Sequence, residues 1–293
     1  MPKYIDIHCH INFKAFKEDG KEVIQRALDN NTWLINVGSQ YSTSRRAIEI
    51  AEKYSEGVYA CIGLHPIHLE EGFHDEEEVS GPSFAEASEG QGSGFMSRVE
   101  IFDYSKYLEL ALNPKVVAIG ECGLDYYHLT PESIEKQKKV FIEQVKLAQE
   151  VDKPLMLHIR NHSTDKNHNA YADIAEILEK YPNVNGVSHC FGGSVEDMKR
   201  FIDLGIYISF AGNITYKNRP EIWNYEEVIR ETPLNHILTD TDSPYLSPVP
   251  FRGKRNEPLH VQEIVKKIAE IKGLPETEVA QAILENARRF FRI

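Results

Sequence analysis

Short apolar runs alternate with amphipathic helical stretches along almost the whole chain, and that alternation limits the fold more than any other feature. The runs lie near 3–10, 33–38, 58–64, 116–121, 154–159, 186–190, 206–211 and 236–241, each bounded by turn residues. Strand followed by helix, repeated, is the mark of a parallel α/β architecture. One helical stretch is QKKVFIEQVKLAQEV from Gln137, where Val140, Phe141, Val145, Leu147 and Ala148 recur at helical spacing and Pro154 closes the run. Two more follow the last strand, one from His260 to Gly273 and one starting behind Pro275, and their apolar stripes are expected to cover a barrel wall. About eight strands with intervening helices predict a (β/α)8 TIM barrel. A length of 293 residues and 41% hydrophobic content suffice for one such domain spanning residues 1–293.

Two segments break the alternation. Residues 70–105 are rich in Glu, Ser and Gly and predict a long, mobile, acidic insertion after the third strand. They hold ten acidic residues against the single Arg98, so −9 of the formal net charge of −12 belongs to them. The stretch 161–169, NHSTDKNHN, is polar throughout, and its His162 and His168 are expected to be solvated rather than metal-bound. Cys9, Cys61, Cys122 and Cys190 are scattered singly, which predicts reduced core residues rather than disulfides or a zinc ribbon. Three of them adjoin polar strand-end residues, and alternation along a strand predicts that they point outward to the helices. No stretch approaches the ~18 apolar residues of a membrane span, so the expectation is a cytoplasmic protein without membrane attachment.

The residues that carry chemistry sit at the C-terminal ends of the expected strands, which is the active-site face of a TIM barrel. The first strand, IDIHCHI, ends in His8 and His10, two apart and so on one side. The fourth delivers Glu121 after Gly120, a carboxylate that burial would make costly without a partner or an ion. The fifth ends in His158, the sixth in His189, and the eighth in Asp240 and Asp242. Each alone has an ordinary structural explanation. Six nitrogen and oxygen donors converging from five strand ends, His8, His10, Glu121, His158, His189 and Asp242, do not. Mixed imidazole and carboxylate ligands suit Zn, Mn, Fe or Mg, and six donors suit two divalent cations sharing a carboxylate better than one.

The ordered series DIHCH, GLHP, IGECGLDYY, LHIR, SHCFGGS, TDTDSPYLSP, RGKRNEP and NARRFF resembles the TatD family of metal-dependent deoxyribonucleases, within the amidohydrolase superfamily. The resemblance covers the chain apart from the two irregular segments. It implies one ion held by His8, His10 and Asp242, a second held by His158 and His189, and Glu121 between them. It also implies that His65 of GLHP and Arg160 of LHIR hold substrate. The family pattern Glu-Thr-Asp is here Asp240-Thr241-Asp242, which keeps the expected ligand.

The activity so implied is that of a deoxyribonuclease, 3'-5' exonuclease-like, acting on DNA that is single-stranded or at an end. Metal coordination can bring the pKa of water from about 15.7 to ~7. Attack by the resulting hydroxide on a phosphodiester, with Asp242 as general base and Glu121 in the metal bridge, is the expected reaction. Arg252, Lys254 and Arg255 of FRGKRNEP are candidates for holding nucleic acid or, equally, a surface loop paired with carboxylates. Tyr126, Tyr127 and Tyr245 could stack on bases or simply pack. A monomer is assumed. Hydrolysis of a small amide, lactone or phosphate ester on the same metal frame remains a second reading, and a binding protein with a relic metal site a third. Metal-dependent nucleotide release from single-stranded DNA, set against turnover of a small-substrate panel, separates them.

Overall fold

The structure is a computed structural model that describes residues 2–69, 99–127, 131–162, 168–218 and 223–293. Eight strands form one sheet in chain order: β1 (Tyr4–Cys9), β2 (Thr32–Val37), β3 (Val58–Ile62), β4 (Val116–Asp125), β5 (Leu155–Arg160), β6 (Gly186–Ser188), β7 (Ile206–Phe210) and β8 (Ile237–Thr239). Every neighbouring pair is parallel. The sheet closes just past β8, where the Asp242 N–H donates to His8 O at 2.9 Å and the His10 N–H to Ser243 O at 2.8 Å. The expected TIM barrel is therefore present, and its seam runs through three of the expected ligands.

Helices α1 (Gly20–Asp29), α2 (Tyr41–Ala51), α3 (Tyr104–Ala111), α4 (Pro131–Glu150), α5 (Ala170–Leu178), α6 (Val195–Asp203) and α7 (Tyr225–Glu231) alternate with the strands. α8 (Val261–Lys272) and α9 (Glu276–Phe291) follow. α4 begins at Pro131 rather than Gln137, since a proline in the first turn sacrifices no helical hydrogen bond. α8 ends as its sequence requires, at Gly273 with φ +64°.

Two apolar layers hold the barrel. Its interior is packed by Ile5, Ile7, Ile35, Val37, Met156, Val187 and Leu238, all from strands. The other layer lies between strands and helices, where Val261, Ile264, Val265 and Ile268 of α8 present one stripe. Full burial of each such side chain contributes roughly 1.5–3 kcal/mol. α9 does more than cover the wall. Its Val279 and Ile283 join the outer layer, while Ala287 and Phe291 join the interior residues near the strand starts.

Residues 70–98 of the expected insertion lie outside the described residues, as do 163–167 of the polar stretch. The end of the insertion is ordered by specific contacts. Glu100 accepts from the Tyr41 N–H at 3.1 Å and the Tyr107 hydroxyl at 2.7 Å, tying the segment to α2 and α3. α3 starts at Tyr104, inside the 70–105 range of the expected insertion.

Candidate metal centre

All six expected ligands meet at the C-terminal end of the barrel. Strict alternation does not bring the first-strand pair there, because Ile5 and Ile7 already face the interior. The β1–β2 pairing shifts register between Asp6 and Cys9. Buried Asp6 holds this irregularity, accepting from the His8 N–H at 3.2 Å, the Thr241 N–H at 2.8 Å and the Thr241 hydroxyl at 2.6 Å. Burial pushes the Asp6 carboxyl well up, against the pull of those hydrogen bonds.

His10 donates from Nδ1 to Val37 O at 2.9 Å, a partner that only accepts, so its Nε2 presents a lone pair to the centre. That nitrogen lies 3.1 Å from His8 Nε2 and 3.4 Å from Asp242 Oδ1. Glu121, on β4, divides its two oxygens. Oε2 lies 3.4 Å from His8 Nε2 and 3.7 Å from His10 Nε2. Oε1 lies 2.7 Å from His158 Nδ1 and 2.9 Å from His189 Nε2, and those two nitrogens are 3.3 Å apart.

β4 can bring Glu121 so close to β5 because glycines flank it. A Cβ on Gly120, at φ +153°, would stand 2.3 Å from Met156 O, and one on Gly123, at φ +144°, would stand 2.1 Å from His158 O.

These residues fit divalent cations. Ligands at ~2.1 Å in tetrahedral array stand about 3.4 Å from one another, and the donors facing each other here are 2.7–3.7 Å apart. Among the described residues, His8 and His189 each leave a buried Nδ1 without a hydrogen-bond partner. Imidazole nitrogens meeting head-on, with no arginine or lysine among them, are a poor arrangement without a cation. The His, Glu and Asp clusters can therefore hold metal.

In the ion-free protein protons fill part of that role. Burial lowers His8 to about 3, with the facing His189 adding to the effect. Burial also pulls His10 down, but the Asp242 and Glu121 carboxylates outweigh it and hold His10 up at about 8. His158 is held up at about 10 by Asp125 and Glu121 against the same desolvation. Burial would raise Glu121, yet the surrounding histidines keep it well below the ordinary carboxylate range.

The family profile described as "TatD related DNase" matches residues 5–292. The chain belongs to the TatD family. The Bacillus subtilis protein YabD, named an uncharacterized metal-dependent hydrolase, is 37% identical over 292 residues, covering 98% of each chain. Escherichia coli YcfH, named likewise, is 30% identical over 295 residues, covering 99% of this chain and 96% of its own. The crystal structure of the TatD homologue YjjV from Escherichia coli superposes with a TM-score of 0.76 at 30% identity, covering 99% of this chain and 98% of that one. This TatD-family chain is a metal-dependent hydrolase, with His8, His10, Glu121, His158, His189 and Asp242 gathered as its candidate ligands.

Other expected residues fall into three groups. His65 lies in the centre itself, its Nε2 3.4 Å from Glu121 Oε1. Its Nδ1 accepts from the Ile67 N–H, so Nε2 carries the proton and His65 offers the centre a donor rather than a lone pair. Arg160 ends β5 and lines a cavity of about 530 Å³ together with His158, His189, Asp242, Asn213 and Tyr245. Its guanidinium stacks on Tyr127, 3.8 Å from the ring centre. Arg252 stacks on Tyr216 at 4.1 Å.

In the third group the structure chooses between open alternatives, and only Cys190 departs from expectation. Arg255 is paired with Asp19 at 2.5 Å and lies 3.6 Å from Glu257, so it serves the surface loop. Tyr126 is fully buried and donates to Asp173 at 2.6 Å, which makes it packing and not a stacking platform. Cys9 and Cys122 join the helix-facing layer as expected, Cys9 by way of the register shift in β1. Cys190 does not. β6 ends at Ser188, and with φ +44° Cys190 lines the cavity instead. Neither His162 nor His168 enters a potential metal group among the described residues.

Sequence reasoning missed Asp125. It lies four residues beyond Glu121 on β4, an even spacing that puts both on one face of a strand, and its Oδ2 is 3.0 Å from His158 Nε2. The strand was expected to stop at residue 121, which hid the spacing.

Proposed function

We propose that this chain is a nuclease that hydrolyses phosphodiester bonds in DNA, working with two divalent cations. The observation that carries the reading is the division of Glu121, with Oε2 toward His8 and His10 and Oε1 toward His158 and His189. Bound divalent ions supply Lewis acidity, lowering the pKa of water toward ~7 and balancing charge on phosphoryl oxygens. In this reading Asp242, which lies beside His10 and on the cavity wall, takes the proton of the attacking water. Its carboxylate is held below the usual range by the nearby histidines against the effect of burial, so it is ionised at neutral pH. The His65 Nε2–H is available to a phosphoryl oxygen.

Two arginine–tyrosine stacks favour a nucleic acid over a small amide or lactone. Arg160 on Tyr127 and Arg252 on Tyr216 each present a cation and an aromatic face, the pair of chemistries that bind phosphate and base. The ions also make the centre locally positive in an acidic chain. Among the described residues no helix is long and apolar enough to cross a membrane, and the four cysteines are free, which suits the reducing cytoplasm.

The test is to strip the protein of metal, restore Mg, Mn or Zn in turn, and follow end-labelled single-stranded DNA. Stepwise release of nucleotides from the 3' end is expected, and Asp242→Asn should lower kcat by ~10²–10⁴. Turnover confined to amides, lactones or small phosphate esters, or undiminished turnover in the Asn variant, would overturn the corresponding part of the reading.

A further inference from the structure

The four candidate ligand histidines of the centre are not supported alike. His10 is backed by the Val37 carbonyl, and His8 and His189 have buried Nδ1 atoms without hydrogen-bond partners among the described residues. His158 is backed by a carboxylate, with Nε2 3.0 Å from Asp125 Oδ2 while Nδ1 faces Glu121 Oε1 and His189 Nε2. A carboxylate only accepts, so the Nε2 proton stays on that side and Nδ1 is left to a metal.

Asp125 is itself held at both ends. Its Oδ1 accepts from the Tyr127 N–H at 2.9 Å. Its backbone is clamped by one side chain of α4, since Gln137 Oε1 accepts from the Asp125 N–H at 2.8 Å and Gln137 Nε2 donates to Asp125 O at 3.0 Å. The carboxylate has little freedom to leave His158.

We propose that Asp125 is a positioning residue that fixes the ring orientation and tautomer of His158, so that the ion at His158 and His189 depends on it and the ion at His8 and His10 does not. The proposal rests on the two-ion reading above. It also gives β4 two tasks, Glu121 joining the two half-sites and Asp125 orienting a ligand of one of them. The nearby set of His65, Asp125 and His158 is not a third ion site by this account, because His65 presents an N–H and the His158 Nε2 proton is taken by Asp125.

The experiment needs no substrate. Metal-stripped wild type, Asp125→Ala and Asp125→Asn are titrated with Co²⁺, followed by calorimetry and visible absorption, and the ion-free proteins are melted in parallel. Wild type should take two equivalents. In Asp125→Ala one equivalent should bind as in wild type and the other 10- to 100-fold more weakly, the usual cost of losing such a partner. Asp125→Asn keeps an acceptor oxygen and should fall between, and it carries the test if the Ala variant does not fold. Two equivalents of unchanged affinity in both variants would overturn the proposal. So would equal weakening of both equivalents together with a lowered ion-free Tm, which is the mark of a merely structural role. A third equivalent in wild type that Asp125→Ala lacks would make Asp125 a ligand instead. A wild type that takes a single equivalent overturns the two-ion reading, and this inference with it.

Discussion

At the centre, nitrogens and oxygens that would repel or compete without a cation are packed at ligand spacing, and protons stand in for ions when metal is absent. His10 and His158 titrate at about 8 and about 10 in the folded, ion-free protein, above the ~6.5 of an unfolded histidine. Their folded pKa values are raised, so the stability they contribute is whole below pH ~6.5 and is lost as pH rises through those values. Glu121 and Asp242 are held low, so theirs is present above pH ~4 and is lost on further acidification. Metal binding must displace the histidine protons. The Tm of chelator-treated protein should therefore fall between pH 7 and 10 while that of the ion-loaded protein changes less. Calorimetry at pH 7 in buffers of different ionisation enthalpy should record proton release on metal binding. Equal Tm profiles and no proton release would contradict this account.

Among the secondary elements, β4 carries most of the burden. It delivers Glu121 and Asp125, and its glycines let β5 approach so that His158 reaches both. Gly123→Ala places a methyl 2.1 Å from His158 O at a φ of +144°, where an L side chain is also strained. The substitution should cost ~1–3 kcal/mol by overpacking and backbone strain. It should also weaken metal binding, because the carbonyl that must move belongs to a ligand. Thermal melts and Co²⁺ titration measure the two effects; an unchanged Tm would show that β4 and β5 can separate without loss. From outside, α4 supports the ends of β4 and β3, with Gln137 on Asp125 and Gln144 accepting from the Leu64 N–H at 2.8 Å, one residue before His65.

Over the molecule as a whole, the acidity is concentrated in one stretch of the sequence, and the proposed anionic substrate is met by cations at the ligand end of the barrel. Of the formal charge of −12, −9 falls in residues 70–105 of the sequence; Arg160 lines the cavity at the ligand end of the barrel and Arg252 lies over the Tyr216 ring. If each contacts a phosphate of single-stranded DNA, Arg160→Ala and Arg252→Ala should raise KM with little change in kcat. Each should also flatten the dependence of log affinity on log salt by about 0.7. An unchanged salt slope for Arg252→Ala would assign that residue to the loop, as the structure already does for Arg255. The order of strands and helices, the barrel and all six candidate ligands were legible in the amino-acid sequence, because apolar periodicity and strand-end position are local properties. Folding alone decided that Asp125 backs His158, that His65 offers a donor, that Tyr126 is core and that Cys190 turns into the cavity. The backing of His158 rests on the added length of β4 and the turn of Cys190 on a left-handed residue after β6, just as a register shift in β1 brings His8 and His10 to the centre; at each the chain departs from the regular alternation on which sequence reasoning rests.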